Sequence, residues 1–433
     1  MIRDYESCRY DYSEVILCIS KAIDLANPRM YNHQMIVGYI AYCIAKQAGI
    51  QKNEDLKDII TAGLLHDIGV LYISKDKKDE IFICDYFNTT DNHAVIGSLM
   101  VRQYHFLGLI SELIRYHHNS WTAIDETDKI PEFTYIICLA DKIAIMIQKD
   151  TNIFLQKNEI INYIKSNRQR FCPKYFDAFL SLCNNESFWL SLTDNYIGQA
   201  INKCFLEINA KKLNLEELKS FSLFIARLID FRSPYTYIHS FSVAFVADFL
   251  AHECSLSDRE CNKIFIAGLL HDIGKLSVPS KILNKPGELV ILELDRVNPH
   301  SFYTYTILST IQNIYPINEW AAFHHEKLDG SGYPFHLTGK ELMLGSKIMC
   351  VADIFSALRE ARPYKKTYDK DKIIKILSRM VEINKIDKKI TDLACNKFSE
   401  IEKIVQNTVE KKAKYEYNCF LDIAEIYKEE LPR

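Results

Sequence analysis

Along IHSFSVAFVADFLAHEC the apolar residues Phe241, Phe245, Val246, Phe249 and Leu250 return at steps of three and four. That spacing lines up one face of an α-helix, and it puts His239 at the helix start. From Asn262 to Leu270 the same spacing recurs, with His271 and Asp272 at its end, where Gly274 and Pro279 stop helical growth. Glycine (14) and proline (11) each stand at about half their usual frequency. Such scarcity argues against turn-rich β architectures and glycine-dependent nucleotide loops, so the expected fold class is all-α.

A repeat organises the chain. AGLLHDIG occurs at residues 62–69 and again at 267–274, a displacement too long for a solenoid and suited to a duplicated domain. Upstream, Ile23, Asp24, Pro28 and His33 correspond to Ile229, Asp230, Pro234 and His239. Downstream, His93 corresponds to His300, the pair His117–His118 to His324–His325, and Asp141 to Asp353. The chain therefore reads as tandem helical bundles, residues 1–208 and 209–433. Between them NAKKLNLEELKSF is charged and helix-prone, which predicts a helical connector.

Bulk composition narrows the chemistry. A length of 433 residues fits about two domains. A formal net charge of −3 offers no global attraction for a nucleic acid polymer or an anionic membrane, so phosphate chemistry here must rest on local charges. Thirteen cysteines, scattered singly without a C-x-x-C pair, read as reduced thiols. The N-terminus carries acids where a signal peptide would be apolar, and no run of about 18 apolar residues follows. A cytoplasmic protein is expected.

Ten of the thirteen histidines fall within the repeat. His33, His66, His93, His117 and His118 form one set with Asp67 and Asp141; His239, His271, His300, His324 and His325 form the other with Asp272 and Asp353. Imidazoles and carboxylates without thiolates suit iron, manganese or zinc. A single histidine is usually a core or surface residue, but five at matched spacings, twice over, are not so explained. Seven donors exceed the needs of one ion, so two ions sharing a bridging carboxylate are the economical arrangement. We assign His239, His271, Asp272 and Asp353 to one ion and Asp272, His300, His324 and His325 to the other. Such a pair activates a shared water and polarises a phosphoryl oxygen, chemistry suited to in-line hydrolysis of a phosphodiester.

HDIGKL, PSKIL, HHEKLDGSGYP, VADIFSAL and RPYK, in order from residue 271 to 365, resemble the HD-GYP family of HD-superfamily phosphohydrolases. The resemblance is close over about residues 217–400, while residues 11–205 resemble a divergent HD domain without the GYP segment. It implies a metal-dependent phosphodiesterase that linearises a cyclic dinucleotide, cyclic di-GMP foremost and cyclic GMP-AMP in some members, with two or three ions, commonly iron or manganese. The family's metal ligands fall on His239, His271, Asp272, His300, His324, His325 and Asp353. Its phosphate-binding lysine falls on Lys275, beside Asp272 in the catalytic pair, and further basic residues on Arg362 and Lys365. Gly332, Tyr333 and Pro334 fall on a loop at the active-site rim that in the family also touches partner domains such as diguanylate cyclases. Tyr235 stands where three-metal members have glutamate, which implies two ions. Departures are Ser356 for aspartate, Arg359 for threonine, Lys347 for arginine and Thr304 for glycine.

The first copy keeps every ligand type but has Val70, Asp150 and Ile153 where the second has Lys275, Arg362 and Lys365. A metal site that is regulatory or structural, or a homodimer contact, is expected there, with hydrolysis of a different substrate as the remaining alternative. Two other functions use the same residues: a cyclic-dinucleotide receptor or cyclase-docking module with negligible turnover, and an HD phosphohydrolase acting on another nucleotide.

Overall fold

The computed structural model describes residues 9–26, 30–72, 92–104, 107–123, 130–230, 238–285, 287–360 and 368–410. The described residues form two compact units, Asp11–Lys212 in one and residues 9–10 with 213–410 in the other. Among the described residues the chain is helical apart from the two-residue strands Tyr10–Asp11 and Lys212–Leu213, as the scarcity of glycine and proline leads one to expect. No described helix is long and apolar enough to cross a membrane.

The connector is not one continuous helix. Asn209 adopts a positive φ of 49°, and a helix resumes only at Leu215–Asp230. The cause is local: Oδ1 of Asn214 accepts from the Glu217 amide at 2.9 Å while Glu217 Oε2 accepts from the Asn214 amide at 2.9 Å. This reciprocal cap makes Asn214 a helix start, and the charged residues before it lie outside the helix.

In the second unit, helix His239–Glu253 packs against Asp258–Leu270 and Leu344–Arg359. A single apolar stripe is not what this helix buries. Ser240 and Ser242 are as covered as Val243, Ala244, Ala247 and Leu250, while Phe245 and Phe249 are half-buried. A helix covered on nearly every side is the centre of its bundle. Asp258–Leu270 is started by a capping box in which Ser257 and Glu260 satisfy each other's backbone amides. The first unit repeats the plan: His33–Gln47 packs against Asn53–Leu65 and Thr134–Ile145.

Glycines set the spacing of the central pairs. A Cβ on Gly268 would lie 2.5 Å from Ala244 Cα, and one on Gly63 would lie 2.7 Å from Gly38 Cα. Only hydrogen lets the two helices approach this closely. The crossing matters because His239 opens one helix of the pair and His271 follows the end of the other. Replacing Gly268 with alanine should therefore push the helices apart. We expect a loss of about 1–3 kcal/mol in urea unfolding, with weaker metal binding to the folded fraction.

Candidate metal centres

Every second-unit ligand sits at or just beyond a helix end, except Asp353, which is inside Leu344–Arg359. His239 and His300 each open a helix, His271 caps Asp258–Leu270, and His324–His325 form a 3₁₀ turn after Ile317–Ala322. A helix end stops where the side chain must point, so five segments can aim at one point.

Asp272 lies at that point. Its Oδ2 is 3.2 Å from His271 Nε2 and 3.7 Å from His239 Nε2; its Oδ1 is 3.5 Å from His300 Nε2 and 3.9 Å from His324 Nε2. Asp353 Oδ1 lies 3.3 Å from His239 Nε2, and Oδ2 lies 3.7 Å from His325 Nδ1. The donors of His239, His271 and Asp353 fall within 4.8 Å of one another, as do those of His300, His324 and His325. A cation about 2 Å from each donor fits such a triad. The protein leaves His271 Nε2 and Asp272 Oδ1 buried without a hydrogen-bond partner, which is the state expected of atoms shaped to hold cations. The donor set therefore fits two ions sharing Asp272.

The orientation of the rings is fixed from behind. Nδ1 of His271, His300 and His324 donates to the carbonyls of Gly268, Val297 and Ala321 at 2.8, 2.7 and 2.7 Å. A carbonyl only accepts, so each Nδ1 carries the hydrogen and each Nε2 keeps its lone pair for the site. His239 differs: its Nδ1 meets Glu360 Oε2 at 2.9 Å.

Electrostatics follows from the same contacts. Burial opposes charge on Asp272, but His271 and Lys275 outweigh it and hold the carboxyl well below the usual range. Burial also disfavours charge on His239, yet the Glu360 and Asp353 carboxylates push its pKa up to about 10. Burial and the neighbouring imidazole of His271 hold His324 well below its usual value, and burial and His324 do the same to His325. His300 is lowered to about 4, chiefly by burial.

Lys275 reaches the site, with Nζ 2.6 Å from Asp272 Oδ2. It stands on the turn Ile273–Ser277 that Gly274 lets press against the next helix; a Cβ there would lie 1.9 Å from the His300 carbonyl oxygen. Thr304 serves this turn: its hydroxyl donates to the His271 carbonyl at 2.9 Å and accepts from the Gly274 amide at 3.1 Å. Ser356 is buried and its Oγ finds no hydrogen-bond partner. Arg362, Lys365 and Tyr235 lie outside the described residues.

The loop from Asp329 to Pro334 is a turn joined to its own return, not a helix cap. Asp329 pairs with Thr338, Gly330 takes φ 78°, and Asp329 Oδ1 accepts from the Ser331 amide at 3.0 Å. A Cβ on Gly332 would lie 2.4 Å from Glu326 Cα. The buried Glu326 carboxylate accepts from the amides of Phe335 and Leu337 at 2.8 and 3.0 Å. The result is that the Tyr333 ring rests 4.8 Å from the His325 ring. Glu326 and Glu360 were not singled out from the sequence. Glu360 could have been found as the residue seven after Asp353, two turns along one helix face.

The first unit brings together all seven of its expected donors. Asp67 Oδ2 lies 3.1 Å from His66 Nε2 and 3.6 Å from His33 Nε2; Oδ1 lies 3.4 Å from His93 Nε2 and 4.0 Å from His117 Nε2. Asp141 Oδ1 stands 3.3 Å from His33 Nε2, and His118 Nε2 is 2.9 Å from His93 Nε2. Val70, in the place of Lys275, is buried. A cation comes instead from another element: Lys142 Nζ lies 3.5 Å from Asp141 Oδ2.

Residues 223–390 match a family model described as an HD domain, and residues 30–146 match a second of the same description. The chain is 30% identical over 398 residues to the 3'3'-cGAMP-specific phosphodiesterase 1 of Vibrio cholerae, spanning 88% of this chain and 90% of that one. It is 29% identical over 339 residues to 3'3'-cGAMP-specific phosphodiesterase 3 of the same organism, spanning 76% and 70%. A crystal structure of a cyclic GMP-AMP-specific phosphodiesterase from V. cholerae has the same fold, with a TM-score of 0.63 at 24% identity, covering 89% of this chain and 96% of that one.

Gly332→Ala tests the buttress on His325. The added methyl must shift the loop and lift Tyr333 from the ring. About tenfold weaker Mn(II) binding is expected, read by titration against a chelator, together with a loss of about 1–3 kcal/mol in the unfolding of the metal-free protein as the backbone yields.

Proposed function

Because the chain belongs to the HD-GYP type of HD-domain phosphohydrolases and carries two HD domains, we propose that it opens a cyclic dinucleotide at a phosphodiester through its second unit. The observation that carries this reading is that the two oxygens of Asp272 face two separate groups of donors, 3.2 and 3.7 Å on one side and 3.5 and 3.9 Å on the other. We take the ions as two, iron or manganese, held as assigned by His239, His271, Asp272 and Asp353, and by Asp272, His300, His324 and His325. When bound, such a pair supplies an activated water and neutralises charge on the phosphoryl oxygens.

The protein's own groups do the rest. Lys275, one-fifth exposed along its side chain, can exchange its contact with Asp272 for a phosphate oxygen without leaving the site. Asp272 fixes the separation of the two donor groups. Tyr333 closes over His325 and feels the charge of both Asp353 and Asp272, so Gly332, Tyr333 and Pro334 form the wall nearest a bound nucleotide. Arg362 and Lys365 are assigned the second phosphate of the ring, on their sequence positions alone. The relatives that align across most of both units are named for 3'3'-cGAMP, which supports placing cyclic GMP-AMP first among substrates and cyclic di-GMP second.

In the first unit we assign His33, His66, Asp67, His93, His117, His118 and Asp141 to a metal site of auxiliary role. Among its described residues no lysine stands beside the bridging aspartate, and Lys142 approaches the terminal Asp141. The described cysteines are free thiols, in keeping with a reducing cytoplasm.

Anaerobically purified protein loaded with Fe(II) or Mn(II) should convert both cyclic dinucleotides to linear products, followed by chromatography. Asp272→Ala should lower turnover at least about 10²-fold, and Lys275→Ala should weaken both kcat and KM. Asp67→Ala should leave the rate within about threefold, since a site making no contact with the reacting atoms contributes nothing to the transition state. Metal-loaded protein that turned over neither nucleotide would defeat the enzymatic reading and favour a receptor.

A further inference from the structure

The geometry points to Glu360 as a positioning residue for the second-unit centre, acting through His239. This rests on the proposed metal site but not on the identity of the substrate.

The His239 imidazole is held at both nitrogens by one helix and its cap. Asp353, inside Leu344–Arg359, places Oδ1 3.3 Å from Nε2, and Glu360, the residue that ends the same helix, places Oε2 2.9 Å from Nδ1. Seven residues separate the two carboxylates, which is close to two helical turns, so both lie on one face about 10 Å apart along the axis. An imidazole spans the space between them. Glu360 and His239 are both almost fully buried, so their contact is neither screened by water nor free to exchange with it.

The choice of acceptor is what sets His239 apart. The other three rings fixed through Nδ1 lean on backbone carbonyls, which orient without adding charge. A carboxylate orients and also feeds negative charge into the ring, making Nε2 a stronger donor to a cation. Among the described residues of the first unit no carboxylate meets His33 on the Nδ1 side. There the equivalent helix, Thr134–Ile145, ends sooner, and the residue seven after Asp141 is Gln148. The Gln148 backbone amide and carbonyl are engaged by the Gln156 side chain. His33 is thus met by Asp141 at 3.3 Å on the Nε2 side without a carboxylate seven residues on. The two centres share a ligand list but differ in the strength of their first histidine.

The test compares Glu360→Gln with Glu360→Ala in the full chain. Glutamine keeps an acceptor for Nδ1–H and the shape of the side chain, and removes only the charge. We expect Glu360→Gln to bind Co(II) or Mn(II) about tenfold more weakly in the second unit, read by competition with a chelator in an Asp67→Ala background. The Co(II) visible bands should shift, kcat should fall, and KM should stay near wild type because Glu360 does not touch the substrate. Glu360→Ala should lose more, up to about a hundredfold. Metal-free Glu360→Gln protein should lose less thermal stability than the metal-loaded protein does, which a purely structural role would not allow. Unchanged metal affinity and Co(II) spectrum in Glu360→Gln would overturn the inference, as would a loss of metal-free stability equal to the loss with metal. Parent protein that bound no ion in the second unit would overturn the metal-site reading itself, and this inference with it.

Discussion

A carboxylate buried at the meeting point of helix ends is the constraint on which each unit depends. Alone in a protein interior an aspartate anion is costly by several kcal/mol. Asp272 remains an anion because imidazoles surround both its oxygens and Lys275 touches one of them. Asp67 is treated likewise by His66, His33 and His93. Once that charge is fixed, donors on opposite sides must face inward, and the bundle can satisfy this only by ending its helices around one point.

Close backbone approach makes the convergence feasible. Gly268 against Ala244, and Gly63 against Gly38, bring the first two ligand helices together; Gly274 and Gly69 press the next turn onto the His300 and His93 carbonyls. All of these glycines but Gly38 lie in the repeated octapeptide, so the most recognisable sequence in the chain encodes a helix crossing and a turn as much as it encodes two ligands. Thr304 adds to this in the second unit alone, pairing a carbonyl and an amide that flank Asp272.

The two units set one donor plan in different surroundings. The first histidine meets the two aspartates at 3.7 and 3.3 Å in the second unit and at 3.6 and 3.3 Å in the first. What differs is the surroundings: a lysine on the bridging aspartate in one and on the terminal aspartate in the other, a tyrosine ring over the last histidine in the second unit, and Glu360 behind the first histidine.

The sequence by itself determined the helical class and the duplication, and it marked the fourteen candidate donors that the fold gathers into two clusters, because each is written locally: in the scarcity of glycine and proline, in repeated spacings, and in histidines placed where helical periodicity stops. Its reading of the helix His239–Glu253 as one-sided was too simple, since full coverage comes from neighbours far along the chain. The connector between the units was taken as helical because charge and propensity ignore the Asn214–Glu217 cap. Tertiary structure alone decided which oxygen of Asp272 faces which histidine, that Lys142 lies against Asp141 in the first centre, that Glu360 meets His239, and that Glu326 holds the loop carrying Tyr333. Those are contacts between residues distant in sequence or two turns apart on a helix, and their energies come from burial, direction and distance, which exist only once the chain has folded.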